Sequence, residues 1–140
     1  MSEAVREVPK KQRPEFRNIH VAELSNYRMP LASIVSILHR ISGFLIFLAL
    51  PLILYLFQMS LLSEDTFKYF AGIASHPLVK LVILGLCWAY FQHFCAGVRH
   101  LFMDLHMGID KDSARTSAAT VLGVSLLLTF VTALKLFGAF

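Results

Sequence analysis

Three long apolar stretches run through this chain, and few folds can hide them. The first follows Arg40 from Ile41 to Phe57, with a less apolar lead-in from Leu31. The second runs from about Leu78 to Met103, with an uncharged centre between Leu81 and Val98, and the third from Ala118 toward the chain end, broken by Lys135. A helix needs about 20 mostly apolar residues to cross the hydrocarbon core of a bilayer, and each stretch meets that length. Composition decides against the alternative of one large soluble core. Of the 140 residues, 56% are hydrophobic and 16% charged, whereas soluble domains average about 45–50% and about 25%. A chain this short buries only roughly 68–70% of its surface. A soluble globular domain, a disordered tail and a disulfide scaffold are all disfavoured. The expected fold is all-α: an integral membrane protein with transmembrane helices over about residues 31–59, 78–103 and 118–138. They form an anchor domain, 31–140, behind a polar N-terminal segment, 1–30. Pro51 falls inside the first span, where neighbouring helices can re-satisfy the freed carbonyl.

Charge sets the orientation. The N-terminal segment carries six basic side chains, Arg6, Lys10, Lys11, Arg13, Arg17 and Arg28. The first loop, about Ser60 to Ser75, has only Lys68, whereas the second, about Asp104 to Ser117, has Lys111 and Arg115. Lys and Arg accumulate on the cytoplasmic side, so the N-terminus and second loop are expected inside. That bias explains the net charge of +4 without nucleic acid as a partner. Glu3, Glu7 and Glu15 argue against an acid-poor targeting presequence. Cys87 and Cys95 are eight residues apart on one helix, about 12 Å, too far for a disulfide.

Ionisable groups inside a membrane cost about 2.5–3.5 kcal/mol each at a helix centre on insertion scales, so each calls for a reason. The first span carries Ser36, His39, Arg40 and Gly43; the second carries His93, Gly97, His100 and Asp104 on one face, with Arg99 to the side. Arg40 marks the inner end of the first helix, and Arg99 and His100 mark the inner end of the second. Both helices therefore bring their polar groups to the same leaflet. The arginines, taken singly, could snorkel to headgroups, Ser36 could bond a carbonyl of its own helix, and Gly43 and Gly97 could serve close packing. His93 lies about 9 Å deeper than Arg99. A neutral imidazole there suits a haem iron, and Gly97 would let a flat macrocycle approach. A proton-relay or packing histidine is the competing reading. His93 and His100 approach from the same side, so a second axial ligand would come from His39 or from another chain.

Ser36-Ile-Leu-His39-Arg40-Ile-Ser42-Gly43 closely resembles the first signature of the cytochrome b subunit of succinate dehydrogenase, respiratory complex II, and Arg13-Pro14 looks like that family's N-terminal Arg-Pro. The second signature, a His followed by Gly-hydrophobe-Arg-His and then Asp, is matched from His93 through Gly97, Arg99 and His100 to Asp104. The resemblance implies that His93 is the axial ligand of one haem b, that His39 and Arg40 contact its propionates, and that Ser36 and Arg40 line the ubiquinone pocket. Gly97, Arg99, His100 and Asp104 would support the haem. It also implies a second small membrane anchor that supplies the other axial ligand, an iron–sulfur subunit and a flavoprotein subunit. The setting would be the bacterial inner membrane, in preference to the mitochondrial one. Two departures stand out: Glu15-Phe16 replaces the usual apolar start after Arg-Pro, and His106 occupies a place usually held by a small residue. The third span carries no family motif, and Ala119 and Gly123 mark it as a packing helix. The anchor of a quinol:fumarate reductase, or a haem-free scaffold or transporter subunit, are the other readings of the same residues.

Overall fold

The computed structural model describes residues 21–138, whose regular structure is all helical, joined by short turns. The Arg13-Pro14 pair and most of the basic N-terminal segment lie outside the described residues. A short 3-10 turn, Val21–Asn26, leads through Pro30 into α1, Leu31–Leu62. Then follow α2, Glu64–Ala74, α3, Pro77–Asp104, and α4, Lys111–Leu136. Helices α1, α3 and α4 are each long and apolar enough to cross a membrane. The expected all-α, three-span architecture is therefore present, with α3 packed between α1 and α4.

The pattern of burial is that of a membrane bundle. Large side chains such as Phe44, Phe47, Leu52, Phe94 and Leu127 point outward. The interior is made of small or slender groups, Val35, Ser42, Ala89, Ala96, Ala118, Val121 and Ser125. Lipid tails are as apolar as leucine, so helices associate by close approach of small residues and by polar contacts between them. The small pair Ala119 and Gly123 faces outward instead; α4 packs through Ala118, Val121 and Ser125.

Two stretches expected to be loops are helical. Between α1 and α3 the chain forms α2, begun by a reciprocal cap: the Thr66 N–H donates to Ser63 Oγ, and the Ser63 N–H to Thr66 Oγ1. Glu64 and Asp65 in its first turn suit the positive end of the helix dipole. Phe67, Phe70 and Ala71 turn inward over an apolar cavity of about 650 Å³ between α1 and α3. A two-residue link, Ser75-His76, then delivers Pro77 to the first position of α3, where its missing N–H is harmless.

At the other end of the bundle, α4 starts at Lys111, seven residues before the apolar stretch. The Asp110 side chain caps it by accepting from the Ser113 N–H at 3.0 Å, which holds that carboxyl below the usual carboxylate range. The turn from α3 is closed by two backbone bonds, Met107 N–H to the Phe102 carbonyl and His106 N–H to the Met103 carbonyl. This is a Schellman ending, and it requires left-handed backbone at His106, whose φ is 60°. The departure noted at His106 thus falls where a residue without a Cβ would fit best.

Candidate haem and quinone site

Packing of α1 on α3 brings His39, His93 and His100 together. The rings of His39 and His93 stack with centroids 4.2 Å apart and planes 6° from parallel; His100 lies 5.0 Å from His39, tilted by 49°. The approach depends on glycine. A Cβ on Gly43 would lie 2.6 Å from His93 Cε1 and 2.9 Å from Nδ1, closer than any side chain tolerates. On the facing helix, a Cβ on Gly97 would meet His39 Nε2 at 3.6 Å, ordinary contact. Gly43 is therefore the residue that sets the α1–α3 distance at this level.

The orientation of His93 is fixed through its other nitrogen. Its Nδ1 lies 3.0 Å from the backbone carbonyl of His39. A carbonyl only accepts, so Nδ1 carries the proton and Nε2 keeps its lone pair free. Metal-ligating histidines characteristically donate their second ring N–H in this way, which raises the basicity of the ligating nitrogen. The same carbonyl accepts from Ser42 Oγ at 3.0 Å. Ser42 is buried and was not singled out from the sequence as a site residue; its spacing three residues after His39 was the available signal.

These residues fit a haem better than a bare metal ion. Among the described residues, no three His, Cys, Asp or Glu side chains are grouped to hold an ion. One oriented imidazole with a free Nε2, in a partly apolar wall, is instead what an iron already held by a porphyrin requires of one chain.

Ser36 and Arg40 sit one turn apart on α1, Ser36 half-buried and Arg40 exposed. Neither makes a side-chain hydrogen bond or ion pair among the described residues, so both keep their donors for an outside partner. Asp104, the last residue of α3, is exposed.

Arg99 turns to the other side of α3, away from the histidines. It is only 7% exposed, and its Nε donates to Ser117 Oγ on α4 at 2.9 Å. Deeper on that face, fully buried Gln92 accepts from Ser125 Oγ at 2.9 Å. The sequence showed Arg99 as polar and off the histidine face, but not its partner, which lies across a helix pair. Cys87 and Cys95 are free and half-buried.

The chain matches the family model described as succinate dehydrogenase/fumarate reductase transmembrane subunit over residues 10–132. It is 37% identical over 106 residues to the succinate dehydrogenase cytochrome b556 subunit of Coxiella burnetii, covering 75% of this chain and 85% of that one. It is 31% identical over 114 residues to the protein of the same name from Paracoccus denitrificans, covering 81% and 88%. The cytochrome b556 subunit of Rickettsia felis is 29% identical over 108 residues, covering 77% and 84%.

Proposed function

The chain belongs to the succinate dehydrogenase/fumarate reductase transmembrane-subunit family, and on that premise we propose that it binds one haem b and helps form the quinone-reduction site of a succinate:ubiquinone oxidoreductase. Within that family it is similar to cytochrome b membrane anchors, parts of an oxidoreductase complex. The relatives' names speak of succinate dehydrogenase, which favours the succinate direction over a quinol:fumarate reductase. Their bacterial sources support a place in the bacterial inner membrane. The bias of Arg28, Lys111 and Arg115 supports a cytoplasmic N-terminus.

The observation that carries the haem assignment is the bond from His93 Nδ1 to the His39 carbonyl, which orients the ring from the backbone of a neighbouring helix and makes Nε2 the nitrogen with the lone pair in the neutral imidazole. Bound there, haem b supplies a one-electron reservoir whose potential depends on its ligands and their surroundings. The second axial ligand comes from a partner anchor. Within this chain His39 is stacked against His93, so its ring lies beside the ligand rather than across from it. His39 and Arg40, in the third turn of α1, would meet the propionates, a role that rests on the likeness of their motif to the family's.

Ser36 and Arg40 hold the quinone. Their free donors, one turn apart, can both reach one carbonyl oxygen of a ubiquinone head group, Ser36 by a hydrogen bond and Arg40 by a charge-assisted one. Negative charge builds on that oxygen as the ring is reduced, and a fixed cation beside it favours the reduced state over the ground state. In this reading succinate oxidation and the delivery of electrons belong to flavoprotein and iron–sulfur subunits; the two cysteines of this chain, Cys87 and Cys95, are too few to hold a cluster.

The test is a redox difference spectrum of the purified complex. The wild type is expected to show a low-spin b-type haem, and His93→Ala to lose or shift it while the subunits stay assembled. An unchanged spectrum in an assembled His93→Ala complex removes the ligand assignment.

A further inference from the structure

On the face of α3 toward α4, Arg99 presents a charge that no carboxylate among the described residues neutralises. A guanidinium keeps its proton in proteins, and this one is 7% exposed inside a bundle. Its hydrogen-bond partners are neutral: Ser117 Oγ at 2.9 Å and, more weakly, the Ala114 carbonyl at 3.5 Å. No carboxylate among the described residues pairs with it. A buried charge with neutral partners only is costly, and an anion brought against it recovers that cost.

The anion has a route and a seat. Arg99 lines a cavity of about 520 Å³ between α3 and α4, walled by Phe94, Val98, Phe102, Val121 and Val124. Its lining extends from Met107 and Gly108 at the α3–α4 turn, past Arg99, to Phe94 and Val124 further along the two helices. Arg99 lies five residues from the end of α3, about 8 Å in, a depth that a headgroup phosphate and a guanidinium can share. The wall from Phe102 to Phe94 passes Arg99 and gives about 12 Å of apolar length, about 8 Å of it deeper than Arg99. A carboxylate from another protein would use the charge but leave that wall empty. A phospholipid uses both. Lys111 and Arg115 are exposed at the start of α4, but Asp104, Asp110 and Asp112 are exposed at the same surface, so the pull on an anion comes from Arg99 and not from the turn as a whole.

We propose that this groove seats one anionic phospholipid of the leaflet at the α3–α4 turn, with its phosphate against Arg99 and one acyl chain along Val98, Phe102, Val121 and Val124. The site is separate from the histidine cluster. His93 and Arg99 are six residues apart, about 120° around the helix by the shorter way, so lipid and haem would occupy different faces of α3. The inference does not depend on the haem and quinone assignments.

The experiment uses the intact complex purified in mild detergent. Native mass spectrometry counts the phosphatidylglycerol retained. Thermal unfolding is followed during titration with phosphatidylglycerol, phosphatidylcholine or inorganic phosphate. Two variants are compared with wild type. Arg99→Gln removes the charge; Val124→Trp fills the groove and leaves Arg99 and its hydrogen bonds in place. Wild type is expected to retain one phosphatidylglycerol per copy of this chain and to be stabilised by that lipid selectively. Either variant is expected to weaken this binding roughly tenfold or more. Val124→Trp keeps the test decisive if Arg99→Gln fails to assemble. Equal response to phosphatidylcholine, stabilisation by phosphate alone, undiminished retention in Val124→Trp, or a partner carboxylate cross-linked beside Arg99 would each overturn the proposal.

Discussion

The two faces of α3 carry similar polar groups into the membrane and treat them differently. Toward α4, Gln92 and Arg99 are buried and tied across the helix pair to Ser125 and Ser117. Toward α1, His93, Gly97 and His100 are only half-buried. The one firm polar tie there, His93 to the His39 carbonyl, orients the ring and leaves its second nitrogen free. On α1, Ser36 and Arg40 at the same end have no side-chain hydrogen bond or ion pair among the described residues. A polar residue in a membrane helix thus has two readings, and they separate by where its hydrogen bonds go. A bond to a neighbouring helix helps hold the bundle together, and a donor, charge or lone pair left over is a candidate for a ligand. Arg99 has both, being bonded to Ser117 and without a carboxylate partner among the described residues.

The largest expected break in that contrast is at Arg40. Replacing it by leucine removes a cation with no structural partner, so the bundle should assemble unchanged. Quinone reduction should fall by roughly a hundredfold or more, the scale for removing a fixed charge-stabilising donor. Succinate oxidation with an artificial acceptor should persist. The comparison of the two rates in one preparation is the check; equal retention of both would place Arg40 with the structural residues.

Gly43→Ala probes the geometry between the faces. The added methyl would lie 2.6 Å from His93 Cε1, with neither helix free to withdraw cheaply. Overpacking of this kind costs about 1–3 kcal/mol. Because it acts on the imidazole, a shifted haem spectrum or midpoint potential should accompany the lost stability. Gly97→Ala is the control, since its methyl would meet only ordinary contact at 3.6 Å. If the control moves the spectrum as far as Gly43→Ala does, the α1–α3 approach is not what aims His93.

On the α4 face the prediction is a non-additive pair. Ser125→Ala leaves the buried Gln92 carbonyl oxygen without its donor and should cost about 1–2 kcal/mol. Gln92→Leu with Ser125→Ala removes both partners and should come back toward wild type, because apolar pairs need no satisfaction in lipid. Thermal unfolding of the assembled complex measures both. The haem spectrum should stay constant throughout, which is what distinguishes this face from the other.

Much of this was legible before any coordinates. The three spans follow from apolar length, and the arrival of the polar groups of α1 and α3 at one leaflet follows from their positions along the spans. Helical spacing put Ser36, Arg40 and Gly43 on one face with His39 off it, and gave no sign that His39 stacks on His93. Helix α2 was hidden because Glu64, Asp65 and Lys68 make an 11-residue segment look like a loop, and its start signal is Ser63 with Thr66 instead of the commoner Glu or Gln. The first turns of α4 were hidden for a related reason. Hydropathy marks where lipid begins, whereas Asp110 decides where the helix begins. The face of α4 was harder still. Ala118, Ala119, Gly123 and Ser125 all offer small residues at helical spacing, and the partner that selects Ser125 is Gln92, 33 positions away. Ser117 as the partner of Arg99 is invisible for the same reason.

The smallest effect expected is a gain, and it lies in the turn that joins α3 to α4. His106 sits at φ 60°, closing the Schellman ending of α3 in a conformation where its Cβ crowds the following carbonyl. His106→Gly removes that crowding, but it also gives the unfolded chain more freedom, so the net stabilisation should be about 1 kcal/mol or less. The His106 side chain is exposed and makes none of the side-chain hydrogen bonds of the described residues, so nothing is lost with it. A higher unfolding midpoint with unchanged haem spectrum and unchanged quinone rate would mean that the α3–α4 hairpin can be tightened without disturbing the α1–α3 site. A shift in either functional signal would mean the opposite: strain at His106 reaches across α3, and the two faces are mechanically one.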